Sequence, residues 1–149
     1  MRIEMVTENK KRFLDLLLLA DEQEDMVDRY LERGDMFVLY DEDVKTVCVV
    51  TKEAEGIYEL KNIATYTQWQ GKGYGKKMVE YIFSFYKGKC KTMFVGTVET
   101  PETIGFYERC GFEPSHRIAN FYVDNYDHPI FEHGRQLTDM ICLRKNFGL

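Results

Sequence analysis

The chain has 149 residues, 44% of them apolar and 30% charged, which suits one soluble domain with one core and excludes a disordered chain. Its net charge of −5 argues against a broad nucleic-acid-binding face. Residues 1–149 are therefore expected to form a single domain.

Taken in order, Arg2–Val6 has the pattern of a short strand. Phe13 to Ala20 and Met26 to Leu31 carry apolar residues at helical spacing, the second run ending at Gly34 as at a helix C-terminus. Met36–Tyr40 and Val44–Thr51 predict two strands joined tightly by Asp41-Glu42-Asp43, and Ile57–Thr65 predicts a third, giving a meander. Gly73 to Phe85 reads as a helix, Thr92–Val98 as a strand, and Pro101 to about Arg109 as a short helix closed by Gly111. Phe112–Val123 and Met140–Arg144 read as final strands around a polar loop. The order β-α-α-β-β-β-α-β-α-β-β predicts a mixed sheet with helices on both faces.

The N-terminal MRIEMVTENKKRF lacks the pattern of a signal peptide, and the longest apolar run, Leu16–Ala20, is too short to span a bilayer. A cytoplasmic protein without membrane or nucleic-acid partners is expected. Cys48, Cys90, Cys110 and Cys142 show no CxxC pair and no histidine partner, so neither a disulfide framework nor a metal site is expected.

The richest stretch is Gln70-Gly71-Lys72-Gly73-Tyr74-Gly75-Lys76-Lys77, between a strand and a helix. Its glycines allow close approach and left-handed dihedrals, so that successive N–H groups converge on an anion. The helix N-terminus and the lysines add positive charge, a combination suited to a diphosphate. The spacing fits neither a Rossmann turn nor a P-loop.

Gln70-x-x-Gly73-x-Gly75 resembles the pyrophosphate-gripping motif of the GNAT (Gcn5-related N-acetyltransferase) superfamily. Leu60-Lys61-Asn62-Ile63-Ala64-Thr65 is similar to that family's fourth strand, and Gly105-Phe106-Tyr107-Glu108-Arg109-Cys110-Gly111-Phe112 to its tyrosine block. The resemblance covers nearly the whole chain. It implies an α+β fold with one mostly antiparallel mixed sheet of about seven strands and about four helices. It further implies acetyl-CoA as co-substrate and transfer of acetyl to a primary amine by direct attack in a ternary complex.

By the same resemblance, Ile63, Ala64 and Thr65 would hold the pantetheine arm and thioester by their backbone. Gln70, Gly71, Lys72, Gly73, Tyr74, Gly75 and Lys76 would hold the diphosphate, and Tyr107 would give the leaving thiolate a proton. Glu59, eleven residues before Gln70, matches the fourth-strand base of some members; strand alternation puts it on a face with Lys61 and Ile63. The family asparagine seven residues before the tyrosine is Thr100 here. Residues 121–140 are similar to the C-terminal segment of a small bacterial GNAT group, with Asn125, His133 and Leu137 departing from its pattern. There Asp124, Asp127 and Glu132 could attract a cationic acceptor, with Tyr126 and Phe131 as walls. The acceptor could be a small molecule, a protein N-terminus or a lysine. A non-catalytic acetyl-CoA sensor is an alternative reading, and oligomeric state stays open, a homodimer included.

Overall fold

Strands β2 (Asp35–Asp41) and β3 (Asp43–Ala54) are deeply buried because their β-branched and aromatic runs can be covered on both faces. Phe37, Leu39, Cys48 and Val50 point into one core layer, and Met36, Val38, Val47 and Val49 into the other. The structure, a computed structural model, describes residues 1–148. Its seven-stranded sheet runs β1-β2-β3-β4-β5-β9-β6, with β1 (Arg2–Val6), β4 (Ile57–Thr65), β5 (Thr92–Thr97), β6 (Glu113–Ile118) and β9 (Met140–Asn146). All neighbours are antiparallel except β4 and β5.

One face carries α3 (Tyr74–Tyr86) and α4 (Pro101–Cys110), whose Met78, Val79, Ile82, Tyr86 and Tyr107 pack with Phe37 and Leu143. The other carries α1 (Leu14–Ala20) and α2 (Glu24–Asp28), which bury Leu16, Leu17 and Val27 against Val49 and Ala64. The expected mixed sheet with helices on both faces is what forms. The four cysteines are unpaired, and three of them are buried.

The helix expected over Met26–Leu31 stops earlier, at Asp28. Beyond it the buried ammonium of Lys10 donates to the carbonyls of Leu31 (2.9 Å), Glu32 (3.3 Å) and Gly34 (2.7 Å), satisfying groups that a longer helix would have paired internally. Gly34 is needed for close approach, not for a helix cap: a Cβ there would lie 2.6 Å from Val49 Cγ1. The strand expected through Val123 ends at Ile118. Asn120, in the left-handed region (φ 57°), turns the chain into the short α5 (Phe121–Asn125). A small hairpin follows, β7 (Phe131–Glu132) and β8 (Arg135–Gln136), whose turn residues His133 (φ 52°) and Gly134 (φ 78°) both have positive φ, as a type I′ turn demands.

Candidate active site

Two irregularities in β4 create the site. The first is a bulge: Val49 pairs with Asn62 while Val50 pairs with Leu60, leaving Lys61 as the extra residue. Before the bulge Tyr58 and Leu60 face α3; after it Ile63 faces α3, and Asn62 and Ala64 face α1. Alternation alone had put Glu59 and Ile63 on one face. The extra residue separates them, since Glu59 pairs with Thr51 on the Val49 face.

The second irregularity is a splay. The parallel ladder joins β4 to β5 only from Ile57–Leu60 to Thr92–Val95. Past Leu60 the facing edges of both strands have backbone groups without a ladder partner, so donors and acceptors line a gap.

Two cavities meet at this gap. One, about 550 Å³, opens between α3 and α4 and is lined by Gln70, Gly71, Gly73, Tyr74, Gly75, Lys76, Phe106 and Arg109 among others. The other, about 330 Å³, opens on the α1 side and includes Asp21, Lys61, Asn62, Ala64, Tyr122, Tyr126 and Glu132. Ile63, Thr65, Gln70, Thr103 and Tyr107 line both.

The glycine loop has the geometry its sequence suggests. Gly71 (φ 77°) and Gly73 (φ 88°) are in the left-handed region, and a Cβ on either would meet nothing within 4 Å. Lys77 N–H donates to Gly73 O at 3.0 Å, so the N–H groups of Tyr74, Gly75 and Lys76 in the first turn of α3 have no intrahelical acceptor. Gln70 braces the loop by donating Nε2 to Thr65 O at 3.0 Å, and Tyr74 donates its hydroxyl to Asp41 at 2.7 Å. Gly75 lets α3 approach α4, a Cβ there lying 3.1 Å from Phe106 Cζ. These open donors with Lys76 and Arg109 fit a diphosphate. Lys72 lines neither cavity, and Arg109 supplies a charge that sequence reading passed over.

Tyr107 is 8% exposed, at edge-on angles to Phe106 and Phe112. Burial drives its hydroxyl well above the usual phenol range, Cys110 and Cys48 adding to the shift, so it stays protonated at neutral pH. Helix α4, which carries it, is capped at one end by Thr100, whose hydroxyl accepts from Thr103 N–H, and closed at the other by Gly111 (φ 110°).

The structure does not bring Glu59 to either cavity. It lies where β4 and β5 are still paired, its carboxylate 3.2 Å from Lys61 Nζ. Among the loop residues, Tyr126 and Glu132 reach the α1-side cavity. Asp124, Asp127 and Phe131 do not, and Phe131 is 60% exposed. In their place stand Asp21 and Glu22, from the link between α1 and α2. Among the described residues no group of three His, Cys, Asp or Glu side chains is placed to hold a metal ion.

This arrangement has counterparts. A sequence profile described as "Acetyltransferase (GNAT) domain" matches residues 32–114. A Bacillus subtilis protein named an uncharacterized N-acetyltransferase, YvbK, is 36% identical over 146 residues, 96% of this chain and 94% of that protein. A GNAT family acetyltransferase from Elizabethkingia anophelis, solved with acetyl-CoA bound, superposes with a TM-score of 0.91 at 30% identity over 97% of both chains. A Bacillus subtilis acetyltransferase solved with CoA gives 0.87 at 35% identity, again over 97% of both. An IAA acetyltransferase from Bacillus cereus gives 0.90 at 30%, over 97% of this chain and 98% of that one. The splayed β4 and β5, the glycine loop opening α3 and the tyrosine of α4 thus stand in a frame shared over nearly all of the chain, and the protein belongs to the GNAT acetyltransferase family.

Proposed function

We propose that this enzyme, one catalytic unit over residues 1–149, transfers acetyl from acetyl-CoA to a primary amine by direct attack in a ternary complex. The observation that carries the reading is the meeting of two cavities at Tyr107, one fitted for a diphosphate and the other lined by carboxylates. Acetyl-CoA supplies an activated acyl carbon.

The chain's own groups divide the remaining work. The N–H groups of Gly71 to Lys76, with Lys76 and Arg109, hold the diphosphate. The free backbone edge at Ile63, Ala64 and Thr65 holds the pantetheine arm and presents an N–H to the thioester oxygen. A preorganised donor of that kind contributes roughly 3 kcal/mol. Tyr107 keeps its proton until the thiolate departs and then donates to it. An acidic cavity favours an acceptor that arrives as a cation. The unpaired cysteines suit a reducing compartment, and we place the reaction in the cytoplasm.

An alkyl ammonium is neutral in only about 1 molecule in 2,500 at pH 7, so a proton acceptor accelerates the reaction. For Glu59 to serve, water would have to relay the proton past Lys61. We therefore expect Glu59→Gln to keep kcat/KM within about twofold of wild type, since Glu59 lines neither cavity. A loss of tenfold or more, recovered at high pH, would make Glu59 the proton acceptor after all. The transfer itself is tested by thiol release from acetyl-CoA with a panel of primary amines. If every amine left the rate unchanged, the reading would be rejected.

A further inference from the structure

A carboxylate without any sequence motif around it stands in the α1-side cavity. Asp21 follows the last residue of α1 with extended backbone (φ −144°, ψ 98°). Its partly buried side chain accepts a phenol proton at each oxygen: from Tyr30 to Oδ2 at 2.9 Å and from Tyr126 to Oδ1 at 2.6 Å. The two phenols come from different parts of the chain, one just after α2 and the other just after α5. They fix the carboxylate's orientation and leave each oxygen a further lone pair. Asp21 and Tyr107 line the same cavity.

Behind Asp21, Asn62 donates Nδ2 to Leu17 O at 3.0 Å and to Tyr30 Oη at 3.1 Å, so that the Tyr30 proton is directed at Asp21. Asn62 also lines the cavity and is 3% exposed, and its Oδ1 has no donor among the described residues. Turning the amide over would not help, because it would set Oδ1 against the Leu17 carbonyl. The lone pairs left on Asp21 are acceptors that an alkylammonium, with three N–H groups, can meet from the cavity.

The other carboxylates of this cavity are less suited. Glu22 faces His128 Nε2 at 3.2 Å, and Glu132 lies on an exposed hairpin. Building on the transferase reading, we propose that Asp21 is the catalytic base, receiving the acceptor's ammonium and taking its proton. Asp21 removes one proton from R–NH3⁺ to give R–NH2, whose lone pair forms the N–C bond as the C–S bond breaks. The sulfur leaves with the bonding pair and takes a proton from Tyr107. The second N–H proton replaces the one Tyr107 gave, and Asp21 releases its own to water. Burial raises the Asp21 carboxyl above the ordinary range, as a stronger base requires. The hydrogen bonds from Tyr126 and Tyr30 and the charge of Arg29 oppose that rise, and Glu22 adds to it. Lys61, Glu132 and Tyr122 are the other titratable groups around the cavity besides Tyr107.

The test compares n-propylamine, an ammonium at pH 7, with hydroxylamine, which is largely neutral there and needs no deprotonation before attack. Asp21→Asn should lower kcat/KM for n-propylamine about 100-fold, with a loss at least about tenfold smaller for hydroxylamine. Acetyl-CoA affinity, measured by calorimetry, should be unchanged. Tyr126→Phe retains the carboxylate but removes a hydrogen bond that favours its charged form, so the acidic limb of kcat/KM should move to higher pH. Equal losses with both amines, or an unmoved acidic limb in Tyr126→Phe, would overturn the assignment. A wild-type enzyme that binds acetyl-CoA but acetylates neither these nor any other amine would overturn the transferase reading itself, and Asp21's role with it.

Discussion

Tyr107→Phe is expected to lower kcat by about 100-fold and leave the affinity for acetyl-CoA unchanged. The substitution removes one oxygen and keeps the ring, so the edge-on packing against Phe106 and Phe112 survives and α4 keeps both its caps. What disappears is the hydroxyl in the wall shared by the two cavities. Because burial raises this phenol, the wild-type hydroxyl remains protonated throughout the neutral range, and any basic limb of the pH–rate profile below about pH 9 must belong to another group. Single-turnover measurement of thiol release separates chemistry from product release. An unchanged single-turnover rate would reduce Tyr107 to a packing residue.

The features legible in the sequence are those that a few neighbouring residues determine. Three glycines within five positions announce a loop with left-handed dihedrals, and Gly71 and Gly73 adopt them. The apolar spacing of Met78, Val79 and Ile82 announces α3, and all three are buried. The bulge at Lys61 is a different matter. One inserted residue leaves the composition of β4 untouched, yet it turns Ile63 towards α3 and leaves Asn62 beside Leu17.

Asp21 was hidden for a related reason. It sits in a run of five acidic or amide residues, Asp21 to Asp25, that reads as an ordinary solvated turn. Only folding brings Tyr126 to it across 105 positions of sequence. Conversely, Asp124 and Asp127 looked suited to a cationic acceptor by composition, but α5 and the turn after it direct the chain so that Tyr126, not its acidic neighbours, reaches the cavity. Long-range placement of a polar side chain has no local signature.

Gly73→Val tests the cradle by a conformational route, and the affinity for acetyl-CoA is expected to fall by roughly 30-fold or more. Gly73 is the residue just before α3, with φ 88° and ψ 3°, a region where a β-branched side chain is strained by at least about 1–2 kcal/mol. In the free protein the valine loop can relax out of that region. Binding would have to force it back, and the cost, about 5- to 30-fold in affinity, is taken from the interaction. The valine methyls add to this by entering the space above the loop, which is open for at least 4 Å around a Cβ at this position. That same openness means no clash with the protein, so α3 and the core beneath it should fold as before and the melting temperature should change little. Calorimetry on the wild type and Gly73→Val reads the effect directly. Equal affinities would show that the N–H groups of this loop do not hold the diphosphate, and the anion site would then have to be sought nearer Arg109, on the opposite wall of the cavity.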